Sequence, residues 1–161
     1  MCGIIGATSS RSVDKILIKG LHAMEYRGYD SAGVALNQEG EVFRLRSLGK
    51  VSSLEELMIN NKPKAKSGIA HTRWATHGAP SEENAHPHGS HNEIYIVHNG
   101  IIENHEEIRE KLKEKGYKIA SETDSELIAH LIHLNKINSS STLDALIKAT
   151  KELKGAFSIA A

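Results

Sequence analysis

The chain begins, after Met1, with CGIIGA (residues 2–7), an apolar stretch that predicts a short buried strand at the N-terminus. Cys2 is the single cysteine among 161 residues. Once Met1 is removed, Cys2 would carry both a thiol, a strong nucleophile when ionised, and an α-amine that is partly neutral near pH 7. A nucleophile and a base in one terminal residue make an N-terminal nucleophile. Position alone favours a simpler interpretation, in which Cys2 is a small buried apolar residue.

The composition argues against several classes of protein. Lysine plus arginine and aspartate plus glutamate number 20 each, so the formal net charge is zero and no basic field attracts nucleic acid. No apolar run approaches the roughly 20 residues that span a bilayer, and the N-terminus does not resemble a signal peptide. A lone cysteine suits a reducing compartment. We therefore expect one cytoplasmic domain that binds neither nucleic acid nor membrane.

Strand and helix patterns run through the whole chain. The expected strands cover 2–7, 33–37, 41–46, 67–72, 93–98 and the C-terminal stretch 155–161, and the expected helices cover 12–26, 53–60, 104–115, 124–134 and 142–153. The strands 33–37 and 41–46 are close enough to form a hairpin. Apolar residues on both faces of 93–98 predict a central strand. Residues 73–92 lack periodicity and predict a long loop, a feature that is usually functional.

Capping residues and apolar spacing predict the ends and the buried faces of the helices. The expected N-caps are Ser12, Asp124 and either Ser141 or Thr142, and Gly116 is an expected C-cap. The expected buried faces are Ile16, Leu17, Leu21 and Met24 in the first helix, Leu127, Ile128, Leu131 and Ile132 in the fourth, and Leu143, Leu146, Ile147 and Leu153 in the fifth.

The stretch HTRWATHG (71–78) follows a predicted strand and could bind an anion. Arg73 can grip a carboxylate with two hydrogen bonds, and Thr76 and His77 can complete a polar pocket. The alternative is a surface arginine beside a packed Trp74, which base rates for arginine favour when these residues are taken alone.

Asn99 and Gly100 directly follow the predicted central strand. Asn-Gly is the preferred two-residue hairpin turn, but Gly100 is followed by a helix rather than by a paired strand. The other interpretation is an oxyanion hole, in which the Asn99 amide and the Gly100 N–H face a developing negative charge.

The acidic stretch SETDSE (121–126) also has two interpretations. It is typical of a helix N-terminus, where the macrodipole favours carboxylates. Asp124 could instead pair with the ammonium group of a substrate. The two interpretations are compatible only if Asp124 serves both purposes.

Histidines are frequent, and seven of the ten lie between His71 and His105. His86, His88 and His91 form an H-x-H-x-x-H pattern that suggests zinc. The segment contains Pro87, has no cysteine partner and lacks an H-E-x-x-H motif, so we expect no metal and no cofactor.

Taken together, these blocks resemble one family. They are CGIIG (2–6), EYRGYDSAG (25–33), HTRWATHG (71–78), NAHPH (84–88), HNGIIENH (98–105) and SETDSE (121–126). In this order they resemble the N-terminal glutaminase domain of the glutamine–fructose-6-phosphate aminotransferases, within the class II, N-terminal-nucleophile glutamine amidotransferases. Amidophosphoribosyltransferases of the same class typically have RGQESAG where this chain has RGYDSAG. Another amidotransferase, or a module that binds glutamine without turnover, is the alternative.

The resemblance implies a role for each matched residue. Cys2 would attack the side-chain amide of L-glutamine, with its α-amine as base, and Asn99 and Gly100 would form the oxyanion hole. Arg73 would bind the α-carboxylate of glutamine and Asp124 its α-ammonium. The pocket would be completed by Thr76, His77 and the gate residue Trp74, while Arg27 and Tyr29 would only support it. The implied fold is α+β, a four-layer αββα sandwich of antiparallel sheets.

The resemblance also implies what lies beyond this chain. The last residues, GAFSIAA (155–161), end within an apolar pattern, so we expect residues 1–161 to be a C-terminally incomplete glutaminase domain. A sugar-phosphate isomerase domain, which binds fructose 6-phosphate, would be absent from the chain. An unpaired sheet edge would favour a homodimer or a higher oligomer.

Overall fold

A computed structural model describes residues 2–75 and 78–161. Within these residues the elements are, in chain order, β1 (Gly3–Thr8), α1 (Asp14–Met24), a 3-10 turn (Glu25–Arg27), β2 (Ser31–Gln38), β3 (Glu41–Leu48), α2 (Val51–Asn61), β4 (Ser67–Arg73), β5 (His88–Ser90), β6 (Ile94–Gly100), α3 (His105–Glu114), α4 (Asp124–Lys136), α5 (Thr142–Glu152) and β7 (Phe157–Ala160). Every helix and strand expected from the sequence is present, with boundaries that shift by a few residues.

The first sheet has the strand order β1-β4-β2-β3, and its neighbouring strands are antiparallel. The predicted hairpin is confirmed as β2 and β3, joined at Glu39 and Gly40. Both of these residues have positive φ, 55° and 101°, as a tight hairpin turn requires. In the register of β1 with β4, Gly3 lies opposite Thr72, so Cys2 and Arg73 meet at one end of the sheet.

The second sheet has the order β5-β6-β7, also antiparallel. The central position predicted for 93–98 is confirmed, since β6 lies between β5 and β7. The loop expected over 73–92 is wrong at its end, because residues 88–90 form β5. A strand of three residues is too short for alternation to reveal it, and only its pairing with β6 defines it.

The two sheets lie face to face, each covered by helices on its outer side. Alternate residues of β2, such as Val34 and Leu36, pack against α1 and α2. Ile94 and Ile96 of β6 pack in the same way against α3, α4 and α5. The intervening residues face the other sheet, where β1 and β4 contact β6. This arrangement confirms the αββα sandwich, and burial of each large aliphatic side chain contributes about 1.5–3 kcal/mol to its stability.

Two of the expected N-caps are wrong. Helix α1 begins after Val13, with no side-chain cap, so Ser12 lies outside it. Helix α4 is capped by Thr123, whose hydroxyl accepts the Glu126 N–H, and Asp124 is the first helical residue. The predicted cap of α5 is confirmed, because the Ser141 hydroxyl accepts the Asp144 N–H at 3.1 Å.

Parts of the expected buried faces are also wrong. Ile16 in α1 is 52% exposed, and Leu143 and Ile147 in α5 are 65% and 46% exposed. Helix α5 instead buries Ala145 and Ala149, because small side chains allow it to pack closely on α4. None of the helices in the described ranges is long and apolar enough to cross a membrane.

Candidate active site

A pocket of about 410 Å³ opens where β1 begins and where β4 and β6 end. The residues that line it are Cys2, Arg27, Arg73, Trp74, His86, His98, Asn99, Gly100, Ile101, Thr123, Asp124 and Ser125. Six residues predicted for the site are in this set, although the chain separates the first from the last by more than 100 positions. The other two, Thr76 and His77, lie outside the described residues.

The thiol of Cys2 is held against the end of β4. The Trp74 N–H donates a hydrogen bond to Cys2 Sγ over 3.2 Å, and Sγ lies 3.5 Å from the Trp74 carbonyl oxygen, to which a thiol can donate. Cys2 is only partly buried. The buried cysteine that position alone favoured is therefore wrong, because Cys2 is partly exposed and lines an open pocket.

Asn99 lies beside Cys2, and its side chain is held at both ends. Its Nδ2 donates to the Cys2 carbonyl oxygen over 3.3 Å, and its Oδ1 is 2.7 Å from His71 Nε2. The hairpin-turn interpretation of Asn99-Gly100 is wrong, since both residues belong to β6 and pair with β7.

Gly100 has a backbone that other residues would not tolerate. Its φ is +130°, and a Cβ at this position would lie 2.2 Å from the Ala156 carbonyl oxygen. Both the torsion and the close approach require glycine. The backbone of Gly100 therefore reaches the wall of the pocket without an intervening side chain.

Arg73 is a buried residue, only 4% exposed, so the surface-arginine interpretation is wrong. Its guanidinium donates to the carbonyl oxygens of Gly78 and Ala79, at 3.1 and 3.4 Å, and lies 3.5 Å from Asp30 Oδ1. The other oxygen of Asp30 accepts the Ala75 N–H at 2.5 Å. Asp30 thus holds the segment that carries Arg73, a role that we did not predict, although Asp30 stands within the matched block 25–33.

Asp124 is 5% exposed and lies at the N-terminus of α4. Since Thr123 caps the helix, the Asp124 carboxylate does not have to do so. One of its oxygens accepts the Ile102 N–H at 2.9 Å. The carboxylate lies at the positive end of the helix dipole and lines the pocket.

Trp74 is 52% exposed at the mouth of the pocket, and its ring packs over Gly28. Gly28 has φ +73°, and a Cβ there would lie 2.4 Å from the indole, so a larger residue would displace the ring. Arg27 lines the pocket as well. Tyr29 instead accepts the Val51 N–H at 2.9 Å, which ties it to the start of α2 rather than to the pocket.

The H-x-H-x-x-H histidines do not converge. His86 Nδ1 accepts the His98 backbone N–H at 3.2 Å, and His88 Nε2 is 3.1 Å from the Thr123 hydroxyl. His91 stacks on His133, away from this pocket, with ring centroids 4.1 Å apart. Within residues 2–75 and 78–161, no group of three or more His, Cys, Asp or Glu side chains has the geometry to hold a metal ion.

Burial lowers the pKa of three histidines in this region. It lowers the pKa of His71 to about 4, and it also lowers the pKa values of His86 and His88. Below pH 6.5 the unfolded chain therefore binds protons that the folded chain excludes. The free energy of unfolding should fall as the pH drops from about 6.5 towards 4, because in that range protons bind the histidines of the unfolded chain but not the buried histidines of the folded chain.

We expect the free energy of unfolding from urea titrations to fall between pH 7 and pH 5, by about 2 kcal/mol for a histidine such as His71, whose pKa is lowered to about 4. His22 offers a control, because the hydrogen bonds that its protonated ring donates to Glu25 and Glu55 raise its pKa, which gives it the opposite pH dependence. His22→Gln should therefore retain the loss of stability in acid. Equal free energies of unfolding at pH 7 and pH 5 in the unmodified protein would contradict the prediction.

Comparison with known proteins identifies relatives over the whole chain. A family model described as a glutamine amidotransferase domain matches residues 71–161. The chain is 57% identical over 158 residues to glutamine–fructose-6-phosphate aminotransferase (isomerizing) of Haemophilus influenzae, covering 98% of this chain and 26% of that protein. The identity to the enzyme of the same name from Pseudomonas putida is 56% over 161 residues, covering 99% of this chain and 26% of that protein. The chain thus spans about a quarter of the length of these relatives.

Solved structures support the fold. The glutamine phosphoribosylpyrophosphate amidotransferase of B. subtilis aligns with a TM-score of 0.84 at 24% identity, covering 99% of this chain and 34% of that one. A structure described as the allosteric regulatory enzyme of purine biosynthesis aligns with a TM-score of 0.85 at 25% identity, with the same coverage. The expected fold of the N-terminal-nucleophile amidotransferases is confirmed.

Proposed function

The chain belongs to the glutamine amidotransferase family, and from that membership we propose that it hydrolyses the side-chain amide of L-glutamine, with Cys2 as the nucleophile. The observation that carries the proposal is the pocket of about 410 Å³, which is lined by Cys2, Arg73, Asn99, Gly100 and Asp124. These five residues offer one nucleophile, one buried cation, one carboxylate and a pair of N–H donors, and Arg27 adds a second cation to the lining. A free amino acid with a side-chain amide has a matching group for each of the five residues. Its α-carboxylate suits the buried cation and its α-ammonium suits the carboxylate. Its amide carbon suits the nucleophile, and its amide oxygen suits the N–H donors.

Binding would use the two charged groups of the pocket. Arg73 would bind the α-carboxylate of glutamine through its guanidinium, and Asp124 would bind the α-ammonium. Trp74 would close the mouth of the pocket over the bound substrate. Thr76 and His77, which the described residues do not include, are proposed as further binding residues on sequence grounds alone.

Chemistry would proceed by acyl transfer to sulfur. The α-amine of Cys2 accepts the thiol proton, and Sγ bonds to the amide carbon of glutamine while the carbonyl oxygen becomes negative. Asn99 Nδ2 and the Gly100 N–H donate to that oxygen. The α-amine returns the proton to the leaving nitrogen, the C–N bond breaks and ammonia departs. Water then attacks the thioester as the α-amine accepts one of its protons, the C–S bond breaks, the α-amine returns that proton to Sγ, and glutamate is released.

The N-terminus provides the test of this proposal. Protein that begins at Cys2, as verified by mass spectrometry, should release equal amounts of glutamate and ammonia from glutamine. The same protein with Met1 retained should be inactive, because its α-nitrogen is an amide and cannot act as a base. Full turnover with Met1 attached would contradict the role of the α-amine, and no turnover in either form would contradict the glutaminase itself.

The fate of the ammonia is a further part of the proposal. The names of relatives at 56–57% identity support its transfer to fructose 6-phosphate, which would yield glucosamine 6-phosphate for amino-sugar biosynthesis in the cytoplasm. In this proposal, residues 1–161 are the glutaminase domain and a sugar-phosphate isomerase domain lies elsewhere in the protein. Measuring whether the whole protein forms glucosamine 6-phosphate or phosphoribosylamine distinguishes this enzyme from an amidophosphoribosyltransferase.

Self-association stays a prediction, which light scattering can test.

A further inference from the structure

We propose that His71 is a positioning residue, which sets the orientation of the Asn99 carboxamide from behind the pocket and so keeps the oxyanion hole formed. The proposal rests on the proposed glutaminase function. His71 lies on β4, does not line the pocket, and is 1% exposed. Its contact with Asn99 spans 28 positions of sequence.

The hydrogen bonds of Asn99 define which way its amide faces. The Cys2 carbonyl oxygen can only accept, so the group 3.3 Å from it must be the Asn99 nitrogen. Asn99 Oδ1 then faces His71 Nε2 at 2.7 Å, and Nε2 must carry the hydrogen. If the amide rotated by half a turn, two oxygens would meet at Cys2, and His71 Nε2 could accept the amide only by moving its proton to Nδ1, which has no hydrogen-bond partner among the described residues. His71 therefore makes the second orientation costly.

The His71 ring is itself held in place. It stacks on His86, with ring centroids 4.1 Å apart and planes inclined by 23°. His86 is anchored by the backbone N–H of His98, on the same strand as Asn99. His71 Nδ1 has no hydrogen-bond partner among the described residues, which fits an imidazole whose only proton lies on Nε2. Burial keeps the ring neutral, since it lowers the pKa of His71 to about 4.

The fixed orientation matters because the Asn99 nitrogen has two hydrogens. One is donated to the Cys2 carbonyl oxygen, and the second is available to the substrate oxygen in the pocket that Asn99 lines. Without His71, only the 3.3 Å bond to the Cys2 carbonyl oxygen would hold the amide, so its second hydrogen would be less well directed at the developing negative charge. The penalty would appear in the transition state more than in the bound substrate, since only there does the oxygen carry a full charge.

The test compares His71→Phe, His71→Gln and His71→Asn. Loss of one oxyanion donor costs about 10²–10³ in kcat, and a misoriented donor should cost a part of that, so His71→Phe should lower kcat by about 10–100-fold with KM changed by less than about threefold. In His71→Gln the side-chain amide nitrogen reaches the position of the His71 Nε2 atom, so kcat should be within about fivefold of that of the unmodified protein. His71→Asn is equally polar but too short, and it should stay impaired even if the Phe variant does not fold.

A double-mutant cycle separates positioning from a general loss of structure. In an Asn99→Ala background, where no carboxamide remains to be oriented, His71→Asn should reduce kcat by less than about twofold further. His130→Phe is the matched control. His130 is also buried, and it bonds Ser90 at 2.9 Å outside the pocket, so its loss should leave kcat unchanged.

The outcomes separate the two proposals. A folded His71→Asn variant with the kcat of the unmodified protein, a Gln variant no better than Asn, or losses that multiply in the cycle would each overturn the role of His71. Absence of turnover in the unmodified protein with a verified N-terminus would overturn the glutaminase function, and the role of His71 with it.

Discussion

Replacing Cys2 by alanine is expected to abolish glutamine hydrolysis while leaving the dissociation constant of glutamine within about threefold of its normal value. Removal of a catalytic nucleophile typically lowers kcat by about 10⁴-fold or more, because no other group forms the covalent intermediate. Binding should persist, since the groups proposed to hold the substrate are Arg73 and Asp124. Ammonia release measures the first effect, and isothermal titration calorimetry with glutamine measures the second.

The single cysteine provides an independent check on this prediction. One equivalent of iodoacetamide should inactivate the protein, and mass spectrometry should place the label on Cys2. Glutamine should slow the reaction because it occupies the same pocket. Turnover of more than a few per cent in Cys2→Ala, or inactivation that glutamine does not slow, would show that Cys2 is not the nucleophile.

Replacing Asp124 by asparagine is expected to weaken glutamine binding by about 30–1,000-fold, the usual cost of removing one partner from a buried charge pair. Asparagine keeps an oxygen to accept the Ile102 N–H, so the start of α4 should be preserved while the negative charge is lost. Calorimetry is best performed in the Cys2→Ala background, where turnover does not consume the ligand. Asp144→Asn, at the exposed start of α5, is the control and should not change the dissociation constant.

Glutaramate sharpens the test of Asp124, because it is glutamine without the α-ammonium group. The Cys2→Ala protein should prefer glutamine to glutaramate by about the same factor that Asp124→Asn loses, and the double variant should bind both ligands equally weakly. A preference for glutamine that survives in the double variant would assign the ammonium group to a different partner.

Much of the fold was predictable because secondary structure leaves a local pattern. Apolar residues on both faces of 93–98 correctly indicated a central strand, and the alternation around Glu39 and Gly40 correctly indicated a hairpin. The errors arose where tertiary contacts override the pattern. Ile16 and Leu143 have the spacing of buried residues, yet they are exposed because the neighbouring elements pack on other faces of their helices.

The site was predictable as a set of residue types but not as a network. The matched blocks named Cys2, Arg73, Asn99 and Asp124, and all four line one pocket. They did not indicate that Asp30 holds the Arg73 segment or that Thr123 rather than Asp124 caps α4. These contacts depend on strand register and on loop paths, which short motifs do not encode.

The sequence by itself determined the chemical inventory, which comprises one thiol directly after Met1, an arginine at a strand end, an Asn-Gly pair and an acidic helix start, together with the order of strands and helices. Tertiary structure decided which of these groups meet. Only the antiparallel register places Cys2 beside Trp74, and only the facing of the two sheets brings His71 to Asn99. The physical reason is range: periodicity is a property of neighbouring residues, whereas a hydrogen bond requires two atoms to lie within about 3 Å however far apart they are in the chain.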